Sequence, residues 1–451
     1  MEAMIDTSDV RRWKRYNKLT PTRKEWLGEL PDHWQSMALR RVVTTFVDYR
    51  GKTPKKVSQG VRLVTASNVR AGKIDYEAVE DYISNADYEP WMVRGFPEIG
   101  DVLLTTEAPL GQSALVDDES IALAQRVILM KLDKSKMCNE YLCKYLQSKA
   151  GQLELWTRAT GSTAVGIKAS HLKGIPVIVP PLDEQIAIAA FLDRETGQID
   201  KLIALKERLI GLLEEKKGTV VQRAVTLGLR ENAQITESGI PCVGMVPDHW
   251  DVDRNKVIFQ EIDCRSENGD EELLTVSHIT GVTKRSEKEE VTMFLAETNE
   301  GYKVCEPGDF IINTMWAFMG AVGIAFEGGC VSPSYNVYRP RNPERIIPEY
   351  FDLLYRTESL KTEMFRGSKG IWHSRLRLYP DVFLNMRTPL PPPEEQEEIL
   401  EYINDYSSKA NELSKALTTS IERLQEYRTA LISAAVTGQI DVREEVAASD
   451  G

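Results

Sequence analysis

Two stretches decide how this chain folds: Pro180-Pro-Leu-Asp-Glu-Gln185 and, 211 residues further on, Pro391-Pro-Pro-Glu-Glu-Gln396. In each, prolines end an extended run and set a helix start, and acidic residues follow at once, where the helix dipole favours them. A 4-3 spacing then runs through the second helix as Ile399, Ile403, Tyr406, Ala410, Leu413, Leu417, Ser420, Leu424, Tyr427 and Leu431. Subtracting 211 gives Ile188, Leu192, Glu195, Ile199, Leu202, Lys206, Leu209, Leu213, Lys216 and Val220 in the first. A stripe this narrow and this long is the seam of a coiled coil. Its expected apolar members are Ile188, Leu192, Ile199, Leu202, Leu209, Leu213 and Val220 against Ile399, Ile403, Tyr406, Leu413, Leu417, Leu424, Tyr427 and Leu431. A helix of about 45 residues spans roughly 65–70 Å.

The helices belong to a larger internal repeat. Pro31-Asp-His-Trp34 returns as Pro247-Asp-His-Trp250, Gly100-Asp101 as Gly308-Asp309, Gly161-Ser162 as Gly367-Ser368, and Ala224-Val-Thr226 as Ala435-Val-Thr437. The offsets are 216, 208, 206 and 211. They wander where loops differ in length and settle over the helix. Two copies this long are two domains, not a solenoid. Short β-type runs such as Asp101–Thr105, Arg126–Met130 and Phe310–Ile312, broken by Gly, Pro and Asn, precede each helix. The expected fold class is α/β: two similar mixed α/β domains, each with a twisted sheet, joined and separated by two long helices pairing antiparallel about a pseudo-two-fold axis. The expected boundaries are a first domain at 1–180, a first spacer helix at 181–230, a second domain at 231–391, a second spacer helix at 392–440 and an acidic tail at 441–451.

The chain has 451 residues, 42% hydrophobic and 27% charged, so it is neither disordered nor too small for several cores. No run nears the ~18 apolar residues of a spanning helix, and Met1–Asp6 carries no leader pattern; a cytoplasmic protein without a membrane role is expected. Six scattered cysteines form no C-x-x-C, so reduced thiols and no structural metal are expected. The net charge is −12, yet residues 11–70 hold fifteen Lys/Arg against four Asp/Glu, and residues 366–387 five against one. Residues 394–445 are the reverse, with twelve acids and five bases. Positive charge gathered in two separate places suits a polyanion, while the acidic helix is free for a different partner.

A search for catalysis yields nothing. Ser332-Pro-Ser-Tyr335 lacks the Asn/Asp and second Pro of an amino-methyltransferase motif. Gly51-Lys52-Thr53 imitates the end of a phosphate loop, but Phe46 stands where the earlier glycine belongs. His33 and His249 have no ligand cluster around them, and a structural turn is the better reading of Pro-Asp-His-Trp. No catalytic or metal-binding residue is therefore assigned. Residue types suited to a duplex are present in both halves. Arg50, Lys52, Thr53, Lys55 and Lys56 form a basic loop; Thr65, Ser67, Asn68, Arg70 and Lys73 follow a strand; Ser162 and Lys168 lie on a later loop. The second half offers Ser277, His278, Lys284 and Arg285, then Ser368, Lys369, Trp372, His373, Arg375 and Arg377. Cations and small polar groups on Gly/Pro loops reach phosphates, and hydroxyl, amide and guanidinium groups pair with base edges.

With these residues in view, the chain resembles the specificity subunits of type I restriction–modification systems. The resemblance covers nearly its whole length. It rests on the duplicated domain-then-helix layout, Trp26-Leu-Gly-Glu-Leu-Pro-Asp-His-Trp34, Gly51-Lys-Thr-Pro54, Thr65–Lys73, Gly100–Gly111 with Leu123-Ala-Gln-Arg126, Ser332–Tyr335 and Pro392–Gln396. In the second half Cys242 stands where Trp26 does in the first. The resemblance implies a non-catalytic subunit. Each domain would read one half of a split target in double-stranded DNA, and the helices would fix the gap. Two methyltransferase subunits would dock on it, carrying S-adenosylmethionine, and restriction subunits would add ATP- and Mg2+-dependent cleavage in defence against foreign DNA. No cofactor is expected on this chain itself. The rival readings are an enzyme with unrecognised motifs and a coiled-coil adaptor without intrinsic DNA specificity.

Overall fold

Both long helices form where the periodicity places them, at Leu182–Leu227 (46 residues) and Pro393–Val436 (44 residues). The structure is a computed structural model that describes residues 13–22, 27–49, 53–70, 72–161, 165–287, 298–370 and 376–447. It divides into two units. The first takes the residues up to Glu207 together with those from Thr418, and the second is Arg208–Leu417. The division falls inside the helices. The reason is packing: each unit's core takes the start of one helix and the end of the other.

In the first unit, four antiparallel strands lie in the order Leu110–Leu115, Val102–Thr106, Val127–Leu132 and Val43–Asp48. In the second unit the order is Val322–Ile324, Phe310–Asn313, Tyr335–Pro340 and Phe259–Ile262. Taken by position in the chain, the two orders are the same. Val127–Leu132 is buried on both faces except at Lys131, because side chains pack it from either side. A second pairing joins Gln35–Ala38 to Pro176–Val179, and Asp251–Arg254 to Arg387–Leu390, closing each domain just before its long helix.

Each repeated motif has a structural task. Gly100 and Gly308 have φ of +88° and +92°, a turn that glycine makes without strain. The next residue caps that turn. Asp101 accepts from the Glu98 N–H at 2.9 Å and Asp309 from Glu306 at 2.8 Å. Each also pairs with a cation on a neighbouring strand, Lys131 at 3.3 Å or Arg339 at 2.8 Å. Burial raises the Asp101 carboxyl pKa above the ordinary value, against the pull of the backbone bond and Lys131.

Gln185 and Gln396 are wholly buried in the first turns of the long helices. Gln185 donates to the carbonyls of Lys136 and Pro180 and accepts from Cys138 N–H. Gln396 does the same with Arg345, Pro391 and Ile347. The preceding glutamates hold the other motif: His33 Nε2 lies 2.6 Å from Glu184 and His249 Nε2 2.7 Å from Glu395. The Ala-Val-Thr motif receives the far helix end. Buried Tyr141 donates to the Val436 carbonyl at 3.2 Å, and Tyr350 to that of Val225 at 2.9 Å. Just beyond, Gly438 (φ +70°) lies against Pro31 and Trp34, and Gly228 (φ +68°) against Pro247 and Trp250; a Cβ on Gly438 would come within 2.4 Å of Pro31.

The expected seam needs correction in its middle. Ile188, Leu192, Ile199, Ile399, Ile403, Leu417 and Leu431 are buried, and Leu213, Val220, Tyr406, Leu424 and Tyr427 are half-buried. Leu202, Leu209 and Leu413 are 43%, 42% and 46% exposed and lie outside the seam. Ile203, Ile210 and Lys217 turn inward on the first helix, and Ser414 and Ile421 on the second. Polar contacts fix this rotation. Arg428 pairs with Asp200 at 2.8 Å in the first unit, and Lys217 donates to Asn411 at 3.1 Å in the second. The second contact is 17 residues later on one helix and 17 earlier on the other, as antiparallel pairing demands. The acidic tail starts inside the first core. Ile440 and Val442 are buried in the first core, Asp441 N–H donates to Lys14 O at 2.7 Å, and Arg443–Ala447 is a short helix.

The seam correction has a stability signature. Ile203→Ala should cost roughly 1–2 kcal/mol, below the about 2–5 of a fully buried site. Leu202→Ala should stay within about 0.5 kcal/mol. Urea unfolding of the two variants checks the order, and a larger loss for Leu202 would restore the leucine phase.

Candidate nucleic-acid interface

In the first unit the candidates fall on three segments that meet. Residues 53–56 leave the basic loop, strand Val61–Val64 leads into Ala66–Asn68, and Gln125-Arg126 precede strand Val127–Leu132. They enclose a half-open cavity of about 320 Å3 lined by Thr53, Lys56, Thr65, Ser67, Gln125 and Arg126. The Ala108 turn closes one side. Lys56 pairs with Asp81 at 2.6 Å, and Arg126 with Glu107 at 3.7 Å. Thr53, Ser67 and Gln125 make no side-chain hydrogen bond among the described residues, and Lys55 is exposed. Arg70 and Lys73, also exposed, face each other across a two-residue strand pairing, and Arg70 donates to Ser67 O at 2.9 Å. Ile167 N–H donates to Thr106 O at 3.0 Å, which sets Lys168 at the end of the central strand.

Asn68 is a correction. It is 1% exposed and every polar atom of its side chain is used. It donates to the carbonyls of Asp75 and Val79 and accepts from Thr65 N–H and from the Thr65 hydroxyl. The pair caps a turn, so neither side chain is free to read a base. Ser277 and Ser368 are likewise engaged: Ser277 Oγ accepts from Ile279 N–H at 3.1 Å, and Ser368 Oγ donates to Met364 O at 2.7 Å at a helix end.

In the second unit the described candidates do not form one cluster. Lys369 and Arg377, both exposed, pair through their backbones, and Leu378 N–H donates to Thr314 O at 3.0 Å. The Lys369–Arg377 bridge stands in the place of the Thr160–Gly166 bridge of the first unit. His278 is exposed at the tip of the Leu274–Lys284 hairpin and lines a separate open groove of about 1010 Å3 with Lys217, Arg223 and Arg356. Lys284 pairs with Glu327, which raises its pKa above the ordinary lysine value. Arg285 is half-buried. Arg50, Lys52, Ser162, Trp372, His373 and Arg375 lie outside the described residues. Sequence reasoning missed Gln125 and Arg126 as site residues. The signal was there: a polar pair directly before a run of four fully buried residues. No group of His, Cys, Asp or Glu among the described residues could hold a metal ion, and none of the described helices is long and apolar enough to cross a membrane.

This arrangement matches a known family. The model of the type I restriction–modification DNA specificity domain fits residues 94–215 and again 249–423, one match per half. The chain belongs to that family. As a specificity subunit it is 22% identical to a putative type I restriction enzyme specificity subunit of Methanocaldococcus jannaschii, over 93% of this chain and 97% of that one. It is 21% identical to the EcoBI specificity subunit of Escherichia coli, over 92% and 88%. The fold recurs in the HsdS subunit of Thermoanaerobacter tengcongensis, with a TM-score of 0.53, 19% identity and coverage of 91% and 98%. It also recurs, with a TM-score of 0.63, 18% identity and coverage of 91% and 99%, in a structure reported for complex assembly and conformational transition of the type I system.

The turn at Asn68 and the wall at Ser67 separate by stability. Asn68→Ala leaves two carbonyls and an N–H without their partner and should cost about 1–3 kcal/mol. Ser67→Ala, which removes an unpartnered hydroxyl, should stay within about 0.5 kcal/mol. Thermal unfolding of the purified variants checks both.

Proposed function

We propose that this specificity subunit reads a bipartite target in double-stranded DNA, one half with each domain, and performs no chemistry itself. The observation that carries the reading is the sheet order repeated in both units with unlike side chains on equivalent loops. A common scaffold with different loops is what two readers of different sequences need. The loop cations position the duplex through phosphates, and the polar wall at Thr53, Ser67 and Gln125 offers groups for base edges.

The paired helices set the gap between the half-sites and dock two methyltransferase subunits. Support comes from the first helix, where Leu202, Leu205, Leu209 and Leu212 are each more than 40% exposed at 3-4-3 spacing. Leucines left in water along one helix face suit a partner helix. S-adenosylmethionine, ATP and Mg2+ belong on the methyltransferase and restriction subunits, and the assembly works in the cytoplasm. An adaptor without DNA specificity is disfavoured by the family, which is a DNA specificity family.

Two outcomes are expected. The purified chain alone transfers no methyl group to DNA, and modification appears only with methyltransferase subunits; labelled-methyl transfer measures this. Replacing Asp248–Leu390 with the second domain of another family member changes one half of the methylated motif and leaves the other intact. Methylome sequencing decides it, and a change in both halves would refute independent reading.

A further inference from the structure

The second unit carries an aromatic surface that none of the tasks above uses. Trp316 is 49% exposed, Met319 38% and Phe365 41%. The Trp316 ring stacks on Phe318 at 6.4 Å and 18°, and Phe318 meets Phe365 at 6.0 Å. Such a surface costs free energy in water unless something covers it.

The indole is presented rigidly. Trp316 N–H donates to Asn313 O at 3.0 Å, and its own carbonyl accepts from Met319 and Ala321 N–H. Ala317 behind it is fully buried. The turn closes at Gly320 (φ +87°), a conformation that glycine adopts without strain. These bonds hold in place the backbone that carries the tryptophan.

The position identifies the occupant. Trp316 lies two residues past Thr314, whose carbonyl anchors the loop of Lys369 and Arg377. Residues 366–377 contain four basic side chains and no acid. An apolar ring near the exposed cations Lys369 and Arg377 complements a polyanion with apolar faces inside it, which is a nucleic acid. Arg366 is taken by Glu363 at 2.7 Å, whereas Lys369, 3.9 Å from Asp381, and Arg377 are exposed, and a protein partner that met the ring with apolar groups would make no use of them. The equivalent turn in the first unit, anchored by Ile167 N–H on Thr106 O, runs Glu107-Ala108-Pro109 and has no aromatic residue. The two readers thus differ in kind at one equivalent place.

We infer that Trp316 is an apolar wedge with which the second domain contacts bases of its own half-site, by stacking or against thymine methyl groups. This rests on the DNA-recognition reading above. The test uses the full chain assembled with its methyltransferase subunits and duplexes carrying the methylated motif. Trp316→Ala should weaken specific binding at least tenfold at every salt concentration while leaving the slope of log affinity against log salt unchanged, because no phosphate contact is lost. Trp316→Phe should recover most of the affinity. Lys369→Gln with Arg377→Gln should instead flatten the slope by about 0.9 per lost contact. Native mass should show the methyltransferase subunits still bound to Trp316→Ala, and its melting temperature should stay within a few degrees of wild type.

Unchanged affinity in Trp316→Ala would overturn the inference. So would loss of the methyltransferase subunits, which would make the patch a protein-docking face, or a large fall in melting temperature, which would make the tryptophan structural. Failure of the wild-type assembly to prefer its motif over random duplex would instead sink the recognition reading itself.

Discussion

A buried amide at the first turn of each long helix holds the architecture together. Gln185 and Gln396 each make three hydrogen bonds, two donated and one accepted: one to the proline carbonyl that ends the globular part and two to a loop within it, at Lys136 and Cys138 or at Arg345 and Ile347. A helix N-terminus leaves donors unsatisfied, and a loop packed under it leaves carbonyls and N–H groups out of water. One glutamine answers the loop's needs, and the glutamate before it takes the histidine of Pro-Asp-His-Trp. Helix, loop and N-terminal turn are thereby fixed to one another at a single point. Removing that amide would bury three unmatched backbone groups at once, so no hydrophobic residue can stand in for it.

From that point the rest of each unit follows. The helix leaves the globular part in a set direction, and its partner returns to end under a buried tyrosine, Tyr141 or Tyr350. The tyrosine hydroxyl satisfies a last-turn carbonyl that the helix itself cannot. The glycine just beyond makes room for a tryptophan ring. Three of the five repeated motifs are thus contacts of one joint, made twice; the Gly-Asp pair caps a turn in each sheet instead, and the Gly-Ser pair lies on the variable loops.

Much of this was legible in the sequence because the joint is made of short motifs at near-constant offsets. The helix bounds, the duplication and the α/β class could be read from prolines, glycines and spacing. The rotation of the helices could not. Leucines at 202, 209 and 413 satisfied a hydrophobic pattern, but the pairing of Asp200 with Arg428 and of Lys217 with Asn411 turns the helices by one residue, and such pairs join positions about 200 residues apart. Asn68 looked like a base reader because its amide has the right chemistry, and the carbonyls of Asp75 and Val79 had already claimed it. The tail at 441–451 read only as acidic, and the apolar pair Ile440 and Val442 that buries its start was too short a signal to stand out. Polar residues announce that they can bond, not with what.

The joint also dictates the order in which the chain can mature. The Tyr350–Val225 bond closes 125 residues, whereas Tyr141–Val436 closes 295. The second unit is contiguous and has all its parts once Leu417 has left the ribosome. The first unit, although begun earlier, lacks Leu431, Val436, Ile440 and Val442 from its core until those residues have been made. Domains complete themselves as their segments emerge, so here the later-made unit finishes first. The earlier-made one passes most of translation with part of its apolar interior open to water, which makes the nascent chain, more than the finished protein, the species in need of a chaperone.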